Sequence, residues 1–150
     1  MPDILFGGGI DDRWIAFSNF YPCAFCWRGH LWSHVEGAFQ WAKNPEDRQH
    51  LQRCQMSPQE AKRAGRSCEI PKDWEEQRFD IMVSILVAKF SQNLHLLELL
   101  RSTGDSAIHE DRADVVWGGG PHYPHGADLL GKALMQVREM LCKGGTHASR

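Results

Sequence analysis

Between Asp73 and Gln92 the chain places Phe79, Met82, Val83, Leu86 and Phe90 at steps of three and four. That spacing predicts one long helix with a single apolar face. The face has to be buried by other elements, so helix packing and not a wide sheet sets the architecture. Further helices are read from about 33 to 43, 46 to 54, 57 to 65, 94 to 100 and 128 to 142. Ser57-Pro58-Gln59-Glu60 opens the third of these with an N-cap serine and a proline at the first helical position, and Gly65 is read as its stop. The last carries Leu130, Leu134, Val137 and Leu141 on one face.

Strands are short and irregularly placed. Ile4-Leu5-Phe6, Trp14-Ile15-Ala16-Phe17, Cys23 to Trp27, Leu31-Trp32, Ala107-Ile108-His109 and Val115-Val116-Trp117 are apolar runs bounded by turn residues. Strands and helices do not alternate, which argues against a doubly wound parallel sheet. The expected fold is α+β, a mostly helical single domain over residues 1–150 with a small β-sheet. The polar tail after Gly144-Gly145 is expected to fray.

Composition narrows the function classes. A net charge of −2 over 150 residues provides no general field for nucleic acid or an anionic membrane. Five cysteines, an odd number at irregular spacing, argue against a secreted disulfide framework. The amino terminus lacks the basic and apolar regions of a signal peptide. No apolar run approaches the roughly 18 residues that span a bilayer. A cytoplasmic location is the expectation, with the oligomeric state open. Six tryptophans and seven phenylalanines are many for this length; most are read as core and a few as walls for a planar ligand.

Glu36 stands out among the polar residues, because it lies within the aromatic-rich run Leu31 to Lys43. Ser33-x-x-Glu36 has the form of a capping box, which by itself accounts for the glutamate. Catalysis is the other reading. Cys23-x-x-Cys26 followed by His30 and His34 has metal-ligand residue types, but the gap is too short for a zinc finger, so buried thiols on a strand are preferred. Gly118-Gly119-Gly120 could admit a phosphate, though no Walker or dinucleotide pattern accompanies it. Arg66 is placed to complement a helix end or to fork onto a phosphate. Lys89, among apolar helix neighbours, is read as snorkelling or as aimed at an anion. Trp74 is read as core or as a stacking surface, and Asp114 as a turn cap.

Taken in order, Phe17-Ser18-Asn19-Phe20, Val35 to Gln40, Lys43, Gly65-Arg66, Trp74-Glu75, Lys89-Phe90, Leu100, Thr103-Gly104, Glu110, Asp114, Trp117-Gly118, Gly120, Leu130-Gly131, Leu134-Met135 and Arg138-Glu139 form a specific set. The chain resembles the YbiA-like family, also called NADAR, over residues 14 to 142. The resemblance implies hydrolysis of an N-glycosidic bond, either in a phosphoribosylated pyrimidine intermediate of riboflavin synthesis or in ADP-ribosylated guanine. It also implies a nucleotide-like small molecule or ADP-ribosylated nucleic acid as partner, and no cofactor or metal. Glu36, Trp74 and Asp114 match catalytic positions. Asn19, Lys43, Arg66, Lys89, Trp117, Gly118 and Asp128 match substrate-binding positions. Two residues depart from the pattern: Gly37 stands where the family usually has histidine, and Asp128 where it usually has asparagine. A pocket that binds ADP-ribose or a nucleotide without cleaving it is the alternative. On the capping-box reading, the helix terminus would keep Glu36 ionised for its chemistry.

Overall fold

The computed structural model describes residues 2–9 and 12–143. It begins with strand β1 (Ile4–Phe6), a 3-10 turn (Ile15–Phe17), and strands β2 (Phe25–Trp27) and β3 (His30–Trp32). Helices α1 (Val35–Trp41), α2 (Arg48–Cys54), α3 (Pro58–Ser67), α4 (Trp74–Ser91) and α5 (Leu94–Ser102) follow. Strand β4 (Ile108–Glu110) and helix α6 (Leu129–Arg138) come last, the helix running into a π-helical turn, Glu139–Lys143. The fold is α+β with far more helix than strand. The expected small sheet is two separate pairs, β1–β4 parallel and β2–β3 antiparallel. The chain divides into two compact units, Asn19–Asn93 and Met1–Ser18 with Leu94–Arg150. They are called here the mid-chain unit and the terminal unit.

In the mid-chain unit, β2 and β3 pair Phe25 with Trp32 and Trp27 with His30. The connection places Arg28 and Gly29 at φ 49° and 82°, the positive values that match strand twist in a two-residue hairpin. Phe25, Trp27 and Trp32 are buried while Cys26 is exposed and Cys23 half-buried. The expectation of buried thiols is therefore corrected: strand alternation turns Cys26 outward. Trp27, Trp32 and His30 pack around Trp41 of α1 with centroid distances of 5.9, 5.5 and 5.0 Å. Helix α4 forms as its periodicity requires and buries Ile81, Met82, Val83, Ile85, Leu86 and Phe90. Its Ser84 hydroxyl accepts from Trp27 Nε1 at 2.9 Å, which ties hairpin to helix.

Local chemistry sets the helix ends. Asp47 caps α2 by accepting from the Gln49 and His50 amides. Ser57 Oγ accepts from Glu60 N at 3.1 Å, with Pro58 in the first turn, as expected for α3. Gly65 does not stop that helix, which continues to Ser67. Its function is close approach, since a β-carbon there would lie 1.8 Å from Gln40 Oε1 of α1.

In the terminal unit, α6 packs on β4 so closely that a β-carbon at Gly131 would lie 2.1 Å from Ile108 O. Arg138 Nη1 donates to Thr103 Oγ1 at 2.9 Å and to Ser106 O at 2.7 Å, anchoring α6 to the end of α5. Two expected strands are absent. Trp14 to Phe17 is 3-10 because Asp12 starts a turn, its Oδ1 accepting from Trp14 N at 3.0 Å and its carbonyl from Ile15 N at 3.2 Å. Val115 to Trp117 is a turn because Asp114 Oδ1 accepts from Val116 N and Trp117 N at 2.9 and 3.0 Å. In both runs a preceding aspartate supplies local bonds that compete with a ladder. The tail from Gly144 onward lies outside the described residues. No helix among the described residues is long and apolar enough to cross a membrane.

Candidate active site

The first turn of α1 is built to hold a carboxylate. Its N-cap is His34, not Ser33: Nδ1 of the imidazole accepts from Gly37 N at 2.9 Å. Nε2 then carries the proton and donates to Met56 O at 2.6 Å. Ser33 is held outside the helix, where its carbonyl accepts from Cys23 N. The capping-box reading of Glu36 is thus overturned. Glu36 N donates to Asn19 O at 3.0 Å, and Glu36 Oε2 accepts from Gln40 Nε2, one turn along, at 2.6 Å.

Glu36 is only 8% exposed. Burial raises its pKa above the ordinary 4.5, outweighing the opposing effects of the Gln40 hydrogen bond and the charges of Lys62 and Lys43. This reverses the expectation that a helix cap would favour the ionised form. Gln40 is itself located by His50 Nε2, 2.8 Å from its carbonyl oxygen, and by the missing side chain at Gly65. Replacing Gln40 with leucine removes a donor that favours the charged carboxylate, so Glu36 should titrate still higher. If Glu36 acts as a base, the acid limb of a pH–rate profile moves to higher pH in Gln40→Leu; an unmoved limb would refute the coupling.

The charges of Lys43 and Lys62 act on this carboxylate, and aromatic rings lie against Lys43. Trp74, the first residue of α4, is buried and lies 5.1 Å from Phe39 at a 54° tilt. The Lys43 ammonium sits 5.7 Å from the Trp74 ring centroid and 5.9 Å from that of Phe39. Burial lowers its pKa, against the raising influence of Cys68 and Glu36. Arg66, in the last turn of α3, is exposed. Asn19 is buried, with Nδ2 3.8 Å from Met82 Sδ and Oδ1 lacking a hydrogen-bond partner among the described residues. Lys89 is wholly enclosed, its ammonium 5.3 Å from the Phe90 centroid and 5.9 Å from that of Tyr21. Burial brings its pKa down to about 8. Gln40 and Lys62 did not emerge from the sequence reading as site residues. The i, i+4 spacing from Glu36 to Gln40 was the available signal for the first.

The other candidates lie in the terminal unit. Asp114 caps its turn through Oδ1 and is exposed, leaving Oδ2 without a partner among the described residues. Gly118 N donates to Asp114 O, and a β-carbon at Gly118 would fall 2.3 Å from Arg112 O, so the turn admits no side chain there. The carbonyls of Val116 and Trp117 accept from Leu129 N and Leu130 N, so these first-turn amides of α6 are already occupied. Asp128 precedes α6 at φ 59°. Its Oδ2 lies 2.6 Å from His109 Nδ1, and Asp3 Oδ2 lies 3.1 Å from the other ring nitrogen. The departure from asparagine thus meets an imidazole. Asp128 Oδ1 is buried and has no hydrogen-bond partner among the described residues. Among the described residues no group of three or more His, Cys, Asp or Glu is arranged to hold a metal ion.

The family model of the NADAR domain matches residues 5–142. The chain is 35% identical over 135 residues to the N-glycosidase YbiA of Escherichia coli, covering 87% of this chain and 83% of that protein. It is 36% identical over 137 residues to the riboflavin biosynthesis protein VVA0006 of Vibrio vulnificus, covering 87% of this chain. It is 34% identical over 142 residues to the chloroplastic riboflavin biosynthesis protein PYRR of Zea mays, covering 82% of this chain. The aligned region is 36% of the Vibrio protein and 23% of the maize protein, so the chain corresponds to one part of each. The NMR structure of E. coli YbiA superposes with a TM-score of 0.81 at 31% identity, covering 97% of this chain and 89% of that one.

Proposed function

The chain belongs to the NADAR domain family, and from that premise we propose that it hydrolyses the C1′–N bond of a phosphorylated N-riboside. The observation that carries the reading is the buried, hydrogen-bonded Glu36 under the charges of Lys43 and Lys62, with Lys43 lying over the Trp74 and Phe39 rings. A ribosylaminopyrimidine phosphate of riboflavin synthesis is the substrate class that the relatives' names favour. An ADP-ribosyl adduct of guanine presents the same ribose–nitrogen bond.

Breaking that bond places positive charge on the ribose ring and an electron pair on the departing nitrogen. Catalysis requires groups that interact more strongly with this charge separation than with the bound substrate. In the proposed scheme ionised Glu36 lies against the sugar, stabilises its developing charge and takes a proton from the attacking water. Gln40 fixes one carboxylate oxygen, so Glu36 Oε1 is the one offered to water. Trp74 with Phe39 forms the apolar wall against the base. Lys43 contributes a cation where negative charge collects on the leaving nitrogen, which is protonated from solvent as Glu36 returns its proton there. Asp114, Trp117, Gly118 and Asp128 of the terminal unit are carried on the family resemblance alone, Asp114 with Oδ2 as an acceptor for a hydroxyl. Lys89, being enclosed, is proposed to support the site and not to meet solvent-borne phosphate.

A panel of ribosylaminopyrimidine phosphate, NAD and ADP-ribosylated guanine nucleotide or DNA tests this, with released base followed by chromatography. Release by the wild type and loss in Glu36→Gln is the expected result. Tight binding with no base released from any substrate would overturn it in favour of a binding module.

A further inference from the structure

Helix α3 brings to the site a residue that neither the sequence motifs nor the family resemblance singled out. Gly65 lies against the Gln40 amide, and Gln40 holds Glu36 at 2.6 Å. The face of α3 that carries Gly65 is therefore the face next to the carboxylate. Lys62 lies three residues before Gly65 and shares that face, and Arg66 is one turn beyond Lys62. The Lys62 ammonium sits 6.0 Å from the Phe20 ring centroid, and the residue is half-buried. Among the described residues the side chains of Lys43, Lys62 and Arg66 make no hydrogen bond or ion pair. Elsewhere on the same helix Glu60 pairs with both Arg53 and Arg63, so unpaired cations are not general to α3.

Lys43 and Lys62 both act on Glu36, and two side-chain cations without an ion pair among the described residues exceed what one carboxylate needs. Buried or half-buried charge is normally matched by a partner. The shortfall in negative charge is what a phosphate would fill, and the carboxylate itself is already held by an amide. We propose that Lys62, with Arg66, binds a phosphate group of the substrate beside Glu36, with the Lys62 stem resting on Phe20. The enclosed Lys89 is not part of this cradle. Arg66 provides a forked donor and Lys62 a compact point charge, a pairing suited to phosphate oxygens.

The inference rests on the proposed riboside reading for its substrate, so its test measures binding separately from turnover. Calorimetry with ribose 5-phosphate, ADP-ribose and unphosphorylated ribose is applied to wild type, Lys62→Ala and Lys62→Arg, each shown to be folded by its melting transition. Loss of a charge-assisted contact predicts that Lys62→Ala weakens binding of a phosphorylated ligand by about 10- to 100-fold. Lys62→Arg restores most of the loss, and ribose binding stays unchanged. A larger loss for ribose 5-phosphate assigns a terminal monoester to Lys62, whereas a larger loss for ADP-ribose assigns the diphosphate. Equal affinity of wild type and Lys62→Ala for both phosphorylated ligands overturns the proposal. So does an equal loss for ribose, or failure of the wild type to bind either phosphorylated ligand. Phosphate binding without base release sinks the hydrolase reading alone, and base release with phosphate affinity independent of Lys62 sinks this inference alone.

Discussion

Glu36→Gln is expected to lower turnover by about 10²- to 10⁴-fold, the range for removing a general base. The substituted amide preserves size and the contact with Gln40, so the loss would reflect charge and proton transfer. The same variant carries a stability signature. Burial raises the Glu36 pKa in the folded protein above its ordinary 4.5. The native state therefore favours the neutral carboxyl. Its contribution is fully present below the unfolded-state pKa and is lost as pH rises through the folded-state value. Glu36→Gln, neutral at every pH, should melt above wild type near neutrality, with the gap closing as pH falls through the raised value toward 4.5. Melting curves from pH 4 to 8 beside a turnover assay check both. Unchanged turnover would remove Glu36 from the mechanism, and a variant less stable at every pH would show that the carboxylate is structural. If Glu36 works as the base, turnover should rise with pH through its raised pKa.

Gly37→Ala is expected to destabilise the protein by about 1–3 kcal/mol, the usual cost of overpacking. In a free helix the same change would stabilise by up to about 1 kcal/mol. The sign reverses because a β-carbon at residue 37 would lie 2.3 Å from the backbone oxygen of Cys54 and 2.8 Å from His34 Cε1. A backbone carbonyl at a helix end cannot yield as a flexible side chain can. At this chain length each kcal/mol corresponds to about 2–4 °C in Tm. Thermal denaturation of Gly37→Ala is the check, and an equal or higher Tm would refute the packing argument. The histidine that the resemblance leads one to expect at this position is thus not accommodated by a single substitution. His34 already occupies the adjoining space, and its ring performs the helix cap.

Much of the fold was legible because its signals are local or periodic. The apolar spacing from Phe79 to Phe90 required α4, and Ser57-Pro58 marked the start of α3. The runs that failed were short. Trp14 to Phe17 and Val115 to Trp117 have strand composition, yet Asp12 and Asp114 bend them into turns by hydrogen bonds that a three- or four-residue pattern does not reveal. The ordered resemblance identified Glu36, Trp74 and Lys43, which the structure brings near one another. It did not single out Lys62, whose relevance depends on which face of α3 meets α1.

The sequence by itself determined that a glutamate begins a helix among aromatic residues, and that this run belongs to a recognisable family. Tertiary structure decided what the glutamate is. Ser33-x-x-Glu36 predicts a capped, ionised carboxylate, but the extended backbone at His34 makes that residue the cap. Burial then raises the Glu36 pKa, and Gln40, backed by Gly65, holds its side chain. The reason is physical: a cap is a contact between neighbours in sequence, whereas desolvation depends on every segment packed around the group. Only the folded chain sets that sum.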